Sequence, residues 1–234
     1  MKTFLLLVTL TALIALTAIV AAQDLPPSSA DADAAYIRTL NERAAKIVAS
    51  LDLTDEGRSN RVQAIIVQQY RDLSQIHAGR DAQIKAAKAK AAQADPANKA
   101  AADSAIADIK AATQTKFDQL HAAYLKKLSA ELTAEQVDQV KDGMTYGVVQ
   151  VTYNVYLRMF PDLTDAQKKQ IMDWLVEARE IAMDQGTSNE KHAVFGKYKG
   201  RINNYLVKAG YDLQQGEANL KKASSPASER TPSQ

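Results

Sequence analysis

Residues 91–100 read Ala-Ala-Gln-Ala-Asp-Pro-Ala-Asn-Lys-Ala, and the Asp95-Pro96 step at their centre decides the fold. Aspartate is a favoured helix N-cap, and proline is favoured at the first helical position. One helix therefore ends near Ala94 and another starts at Pro96. Upstream, Val62, Ile66, Gln69, Leu73 and Ile76 form a helical stripe in a segment that starts near Asp55. Downstream, Ile106, Ile109, Thr113, Phe117, Leu120, Tyr124 and Leu128 form another. The stripes mirror each other about the turn, so that Ile84 meets Ile106, Leu73 meets Phe117 and Ile66 meets Tyr124. This predicts an antiparallel helical hairpin over 55–128, with arms of roughly 50–60 Å at 1.5 Å per residue.

The distal part of the hairpin is rich in alanine, with 16 in the 38 residues from Ala78 to Thr115. Alanine favours helix but buries little area. Two readings stay open, a thin solvated tip and an arm that docks a protein partner. Lys85, Lys88, Lys90 and Lys99 read as a solvated face.

Before the hairpin, Tyr36, Leu40, Ala44, Ile47, Val48 and Leu51 mark a helix over Asp33 to Leu51. Before that, Lys2, the apolar run Phe4 to Val20 and the small residues Val20 and Ala22 read as a secretory signal cleaved after Ala22. An uncleaved anchor is the alternative. Residues 23–32 read as a flexible leader and 214–234 as a disordered tail. The rest, 33–213, reads as one helical domain. The 234-residue chain has no cysteine and a formal net charge of +2. That excludes a disulfide scaffold and a thiol nucleophile, and it argues against nucleic acid or an anionic membrane as partner. A signal without cysteine places the protein in a bacterial periplasm or outside the cell.

After the hairpin, three segments share a pattern: Leu53-Thr54-Asp55-Glu56-Gly57, Leu132-Thr133-Ala134-Glu135-Gln136 and Leu163-Thr164-Asp165-Ala166-Gln167. The last two are capping boxes, in which threonine and glutamine satisfy each other's backbone donors. They predict helix starts at 54, 133 and 164. One helix should run from Ala134 to Phe160, where Pro161 ends it. The alternation of Val149, Val151, Tyr153 and Val155 with polar residues competes as a strand, but no other segment could pair with it. Two more helices follow, Asp165 to about Gln185 and Asn189 to Ala209, giving a C-terminal bundle over 134–210. The fold class is all-α, with about six helices, a long hairpin and that bundle.

Candidate binding residues concentrate in the bundle. Tyr146, Tyr153 and Phe160 recur every seven residues and read as core. The pairs Gly143/Gly147 and Gly196/Gly200 each fall on one helix face. A helical glycine costs roughly 1 kcal/mol relative to alanine. Either two helices cross tightly there, or a ligand rests on bare backbone. Asp173, Glu177, Glu180 and Asp184 form a carboxylate row. Lys197, Arg201 and Lys208 form a basic row with Asn204 among them. In a hairpin around Thr187, Glu177 falls near Lys197 and Asp173 near Arg201. The rows read either as an ion ladder or as a polar cleft for sugar hydroxyls, with an aromatic stacking face. For that cleft the candidates are Tyr146, Trp174, Glu177, Arg179, Glu180, Asp184, Lys197, Tyr198, Arg201 and Asn204. His77, His121 and His192 are scattered, and no metalloprotease, serine-hydrolase or phosphate-loop motif is present. The chain therefore points away from catalysis, and implies neither cofactor nor metal.

The runs Asp142 to Gly147, Trp174 to Asp184 and Lys191 to Tyr205 resemble domain-of-unknown-function family 3826, a family of exported bacterial proteins, over about Tyr36 to Leu213. The resemblance implies sugar binding without an established catalytic residue. The expected function is thus non-catalytic carbohydrate binding in support of polysaccharide use. The Leu-Thr-x-x-Gln segments also resemble the motif of small periplasmic stress chaperones, which implies the competing role of holding unfolded clients.

Overall fold

The computed structural model describes residues 29–92 and 96–224, and these form eight helices. They are α1 (Ser29–Ala49), α2 (Glu56–Ala92), α3 (Pro96–Ser129), α4 (Ala134–Met144), α5 (Val148–Met159), α6 (Asp165–Met183), α7 (Ser188–Lys208) and α8 (Leu213–Ser224). The expected signal over 1–22, the expected cap at Asp95 and residues 225–234 lie outside the described residues. Among the described residues no helix is long and apolar enough to cross a membrane.

The hairpin forms as expected. With 37 and 34 residues, α2 and α3 are about 55 and about 50 Å long. Ile66 and Tyr124 share a buried cluster, and Ile84 and Ile106 line one surface hollow. His77 packs its ring on Phe117, with centroids 4.7 Å apart. The α2 cap sits one residue later than expected. Asp55, not Thr54, accepts from the Arg58 amide, because aspartate at that point reaches the third helical N–H.

Eight helices stand where about six were expected, and two corrections account for the difference. The helix predicted over 134–160 is broken at Thr145–Gly147. Tyr146 and Gly147 both take left-handed φ, 61° and 64°, and the Gly147 amide bonds to the Asp142 carbonyl at 2.8 Å. That is a helix-terminating geometry, which glycine adopts without a Cβ penalty. The break takes Tyr146 out of the expected core stripe and leaves it 52% exposed, while Tyr156 and Phe160 are buried. It also lets α4 pack on α1 and α6 while α5 packs on α6 and α8.

The second correction concerns 214–224, expected as disordered tail. It is helical, and Asp212 caps it by accepting from the Gln214 amide. Gly216 meets Phe160 so closely that a Cβ would lie 2.6 Å from the ring, and Asn219 donates to the Met159 carbonyl. Gly216 is the residue whose missing side chain lets α8 dock. At the other end, α1 starts inside the predicted leader, at Ser29.

Two buried clusters result. One joins α1, α2, α3 and α4 through residues such as Ala44, Ile66, Leu128 and Val140. The other joins α5, α6 and α7 through Tyr156, Leu175, Phe195 and Ile202. Met183, at the end of α6, belongs to the first cluster and ties the bundle to the hairpin.

The glycines do not mediate the expected crossing. A Cβ on Gly143 would lie 2.8 Å from Ile47 Cγ1, so its close partner is α1. At Gly196 and Gly200 nothing lies within 4 Å. The two sites therefore predict opposite effects. Gly143→Ala should destabilise by about 1–3 kcal/mol, because β-branched Ile47 cannot easily turn aside. Gly200→Ala should stabilise by about 1 kcal/mol through helix propensity. Urea denaturation of the two variants measures both.

Candidate functional site

Capping boxes start both helices of the α6–α7 pair. Thr164 with Gln167 starts α6, as expected. Thr187 with Glu190 starts α7, a box spelled by Thr187-Ser188-Asn189-Glu190, so the helix begins at Ser188 rather than at the expected Asn189. The resulting register differs from the expected one. Glu177 accepts from the Tyr198 hydroxyl at 2.8 Å and from Arg201 at 3.4 Å, not from Lys197. Asp173 pairs with Lys169 on its own helix at 2.7 Å rather than with Arg201. Burial and the bond to Glu177 hold the Tyr198 phenol protonated, its pKa pushed up to about 12.

Arg201 also lies over Trp174, its guanidinium carbon 4.4 Å from the indole centroid. Tyr205 meets the same indole edge-on at 5.3 Å. An open cleft of about 650 Å³ is lined by Trp174, Lys197, Gly200, Arg201, Asn204, Tyr205 and Lys208. Six of the ten candidates therefore gather on one surface: four line the cleft, and Glu177 and Tyr198 hold Arg201. Tyr205 and Lys208 are additions to the candidate set. An indole, a cation and a side-chain amide around a bare stretch of helix offer what a pyranose needs.

The other four candidates lie elsewhere. Arg179 is 5% exposed and donates to Asp142 at 2.8 Å, to Asp138 at 2.6 Å and to Glu180 at 3.3 Å. Burial would lower its pKa, but the bond and charge of Asp142, with Asp138 and Glu180, raise it above the ordinary value. Glu180 also takes Lys141 at 3.1 Å and His121 at 3.5 Å. Burial pushes Glu180 up, yet His121, Lys141 and Arg179 together bring it down to about 2. Asp184 accepts from His121 Nδ1 at 2.7 Å, and its backbone carbonyl accepts from His77 Nε2 at 2.8 Å. The bonds to Asp184 and Glu180 raise His121 to about 9. So the lower half of the carboxylate row is capped by α3 and α4, not by α7. It clamps the C-terminal end of α6 to the hairpin, with Glu180 paired to Arg179, Lys141 and His121, while one oxygen of Asp184 takes His121 and the other, Oδ1, is buried without a hydrogen-bond partner. Asp138, Asp142, Lys141 and the two histidines escaped sequence reasoning because no spacing relates them to α6. Tyr146 stacks on His192 at 5.8 Å and edges a different cavity.

Among the described residues, no group of three or more His, Asp or Glu side chains is placed to hold a metal ion. Residues 37–224 match the model of a family described as protein of unknown function, DUF3826. The chain belongs to that family. The match ends at the last residue of α8, so the DUF3826 region includes the helix that sequence reasoning left in the tail. No curated protein matches the chain.

Proposed function

We propose that this DUF3826 protein is exported and binds carbohydrate without turning it over, in support of polysaccharide use, with the α6–α7 cleft as the site. The observation that carries this reading is Gly200. It is a helical glycine with no neighbour within 4 Å of where its Cβ would stand, on the floor of the cleft lined by Trp174, Arg201 and Asn204. Helix stability disfavours it, and no packing requires it. Bare backbone beside an indole leaves room for a sugar ring to lie flat. The Leu-Thr-x-x-Gln segments at 132–136 and 163–167 form capping boxes, the role that helix physics by itself assigns to them.

Trp174 is the sole tryptophan, so its emission reports on this cleft alone. Titrating neutral oligosaccharides into the protein should give a saturable change in that emission at millimolar concentrations or below. Gly200→Leu should abolish the change while leaving thermal stability intact. If no glycan alters the emission or gives heat in calorimetry, the carbohydrate reading is wrong.

A further inference from the structure

A second cavity, of about 560 Å³, lies between α1, α2, the α4–α5 break and the start of α7. Its size is that of a small-ligand pocket. Arg43, Lys46 and Lys191 line it together with Tyr36, Tyr70 and Tyr146, and no carboxylate lines it among the described residues. None of the ion pairs among the described residues involves any of the three cations.

Lys191 is the unusual member. It is 5% exposed, and its Nζ donates to the Met144 carbonyl at 2.9 Å and lies 5.6 Å from the Tyr70 ring centroid. An ammonium has three donors, and one carbonyl uses one of them. Burial lowers Lys191 to about 8; the field of Asp184 opposes the fall and that of Arg43 adds to it. Two cations thus repel each other across a concave, tyrosine-lined space with no ion-paired carboxylate between them. Elsewhere the protein neutralises its buried cation, as the three carboxylates around Arg179 show. A buried charge left without an ionic partner is costly.

The backbone supplies an independent observation. Tyr146 holds φ at 61°, which costs a non-glycine residue about 1–2 kcal/mol. The strained turn sets a half-exposed tyrosine ring at the edge of this cavity. A ring there gives a ligand an apolar face beside the cations.

We propose that this cavity binds a small organic anion, its carboxylate or phosphate held by Arg43, Lys46 and Lys191 and its body packed against Tyr70 and Tyr146. The site is separate from the α6–α7 cleft and does not depend on the carbohydrate reading. Calorimetric titration of the purified protein with D-glucuronate, glucose 1-phosphate, inorganic phosphate and glucose tests it. Glucuronate or glucose 1-phosphate should bind saturably and more weakly as salt is raised, and glucose should not compete. The tighter of the two assigns the anionic group. Arg43→Gln, on an exposed side chain, and Lys191→Met should each weaken binding by about tenfold or more. Gly200→Leu should leave it unchanged, which separates this site from the Trp174 cleft. The proposal is overturned if neither organic anion binds at millimolar concentration, if Arg43→Gln leaves the affinity unaltered, or if inorganic phosphate binds as tightly as both.

Discussion

Replacing Arg179 by methionine is expected to destabilise the protein by about 3–5 kcal/mol, towards the lower end of that range. Methionine keeps an unbranched apolar stem in the space between α6 and α4. What disappears is the guanidinium that serves Asp138, Asp142 and Glu180 at once. Asp138 and Asp142 are 57% and 39% exposed, so water can take over much of what they lose. Glu180 is 30% exposed and keeps Lys141, which limits but does not remove its penalty. Arg179→Lys should recover only part of the loss, because an ammonium cannot serve several carboxylates with a planar fork. Urea denaturation, with the midpoint shifting at constant slope, is the measurement. A loss under about 1 kcal/mol would mean that the cluster behaves as a solvated surface network.

The second large effect is a fall in stability between about pH 6.5 and 9, carried by His121. Its bonds to Asp184 and Glu180 raise it to about 9 in the folded state. A raised value contributes stability that is full below the unfolded value near 6.5 and is lost as pH climbs through 9. The difference corresponds to at most about 3 kcal/mol. Glu180 acts at the other end. Lowered to about 2, it contributes above its unfolded value near 4.5, and that contribution is lost as pH falls through 2. The two groups share one contact, so their contributions are not additive. Lys191 has the opposite slope to His121. Held down to about 8, it penalises folding below that pH, and the penalty fades towards 10.5. Subtracting the pH profile of His121→Gln from that of the wild type isolates the histidine. Parallel profiles from pH 6.5 to 9 would show that His121 is not raised.

The clamp around Asp184 explains why this cluster matters to the architecture. His77 and His121 come from the two arms of the hairpin and meet one residue at the C-terminal end of α6. Gly186 lets the chain pass close to His77, where a Cβ would lie 3.1 Å from the ring. Loss of the clamp is therefore expected to loosen the bundle from the hairpin.

Of the candidate site, the sequence supplied the residue types. The α6–α7 packing decided which of them meet. Trp174, Arg201, Asn204 and Lys197 share a cleft because one turn of register brings Arg201 to Glu177 instead of Asp173. Glu180 and Asp184 share the same helix and the same spacing rule, yet face α3 and α4. A row of like charges on a helix says which side chains point together, but not which neighbour will reach them.

The same division holds for the fold. The hairpin, its mirrored stripes and the boxes at Thr133 and Thr164 were legible because they rest on contacts within about four residues along the chain, or on a repeat of 3.6. The break at Tyr146, the docking of α8 and the burial of Lys191 were not. Each depends on what another helix offers: α1 and α6 to pack on α4, Phe160 to receive Gly216, and Met144 to receive Lys191. Local periodicity determined that this is a helical protein with a long hairpin. Only tertiary packing, which sets a strained turn against a buried cation, decided where its cavities lie and what charge they carry.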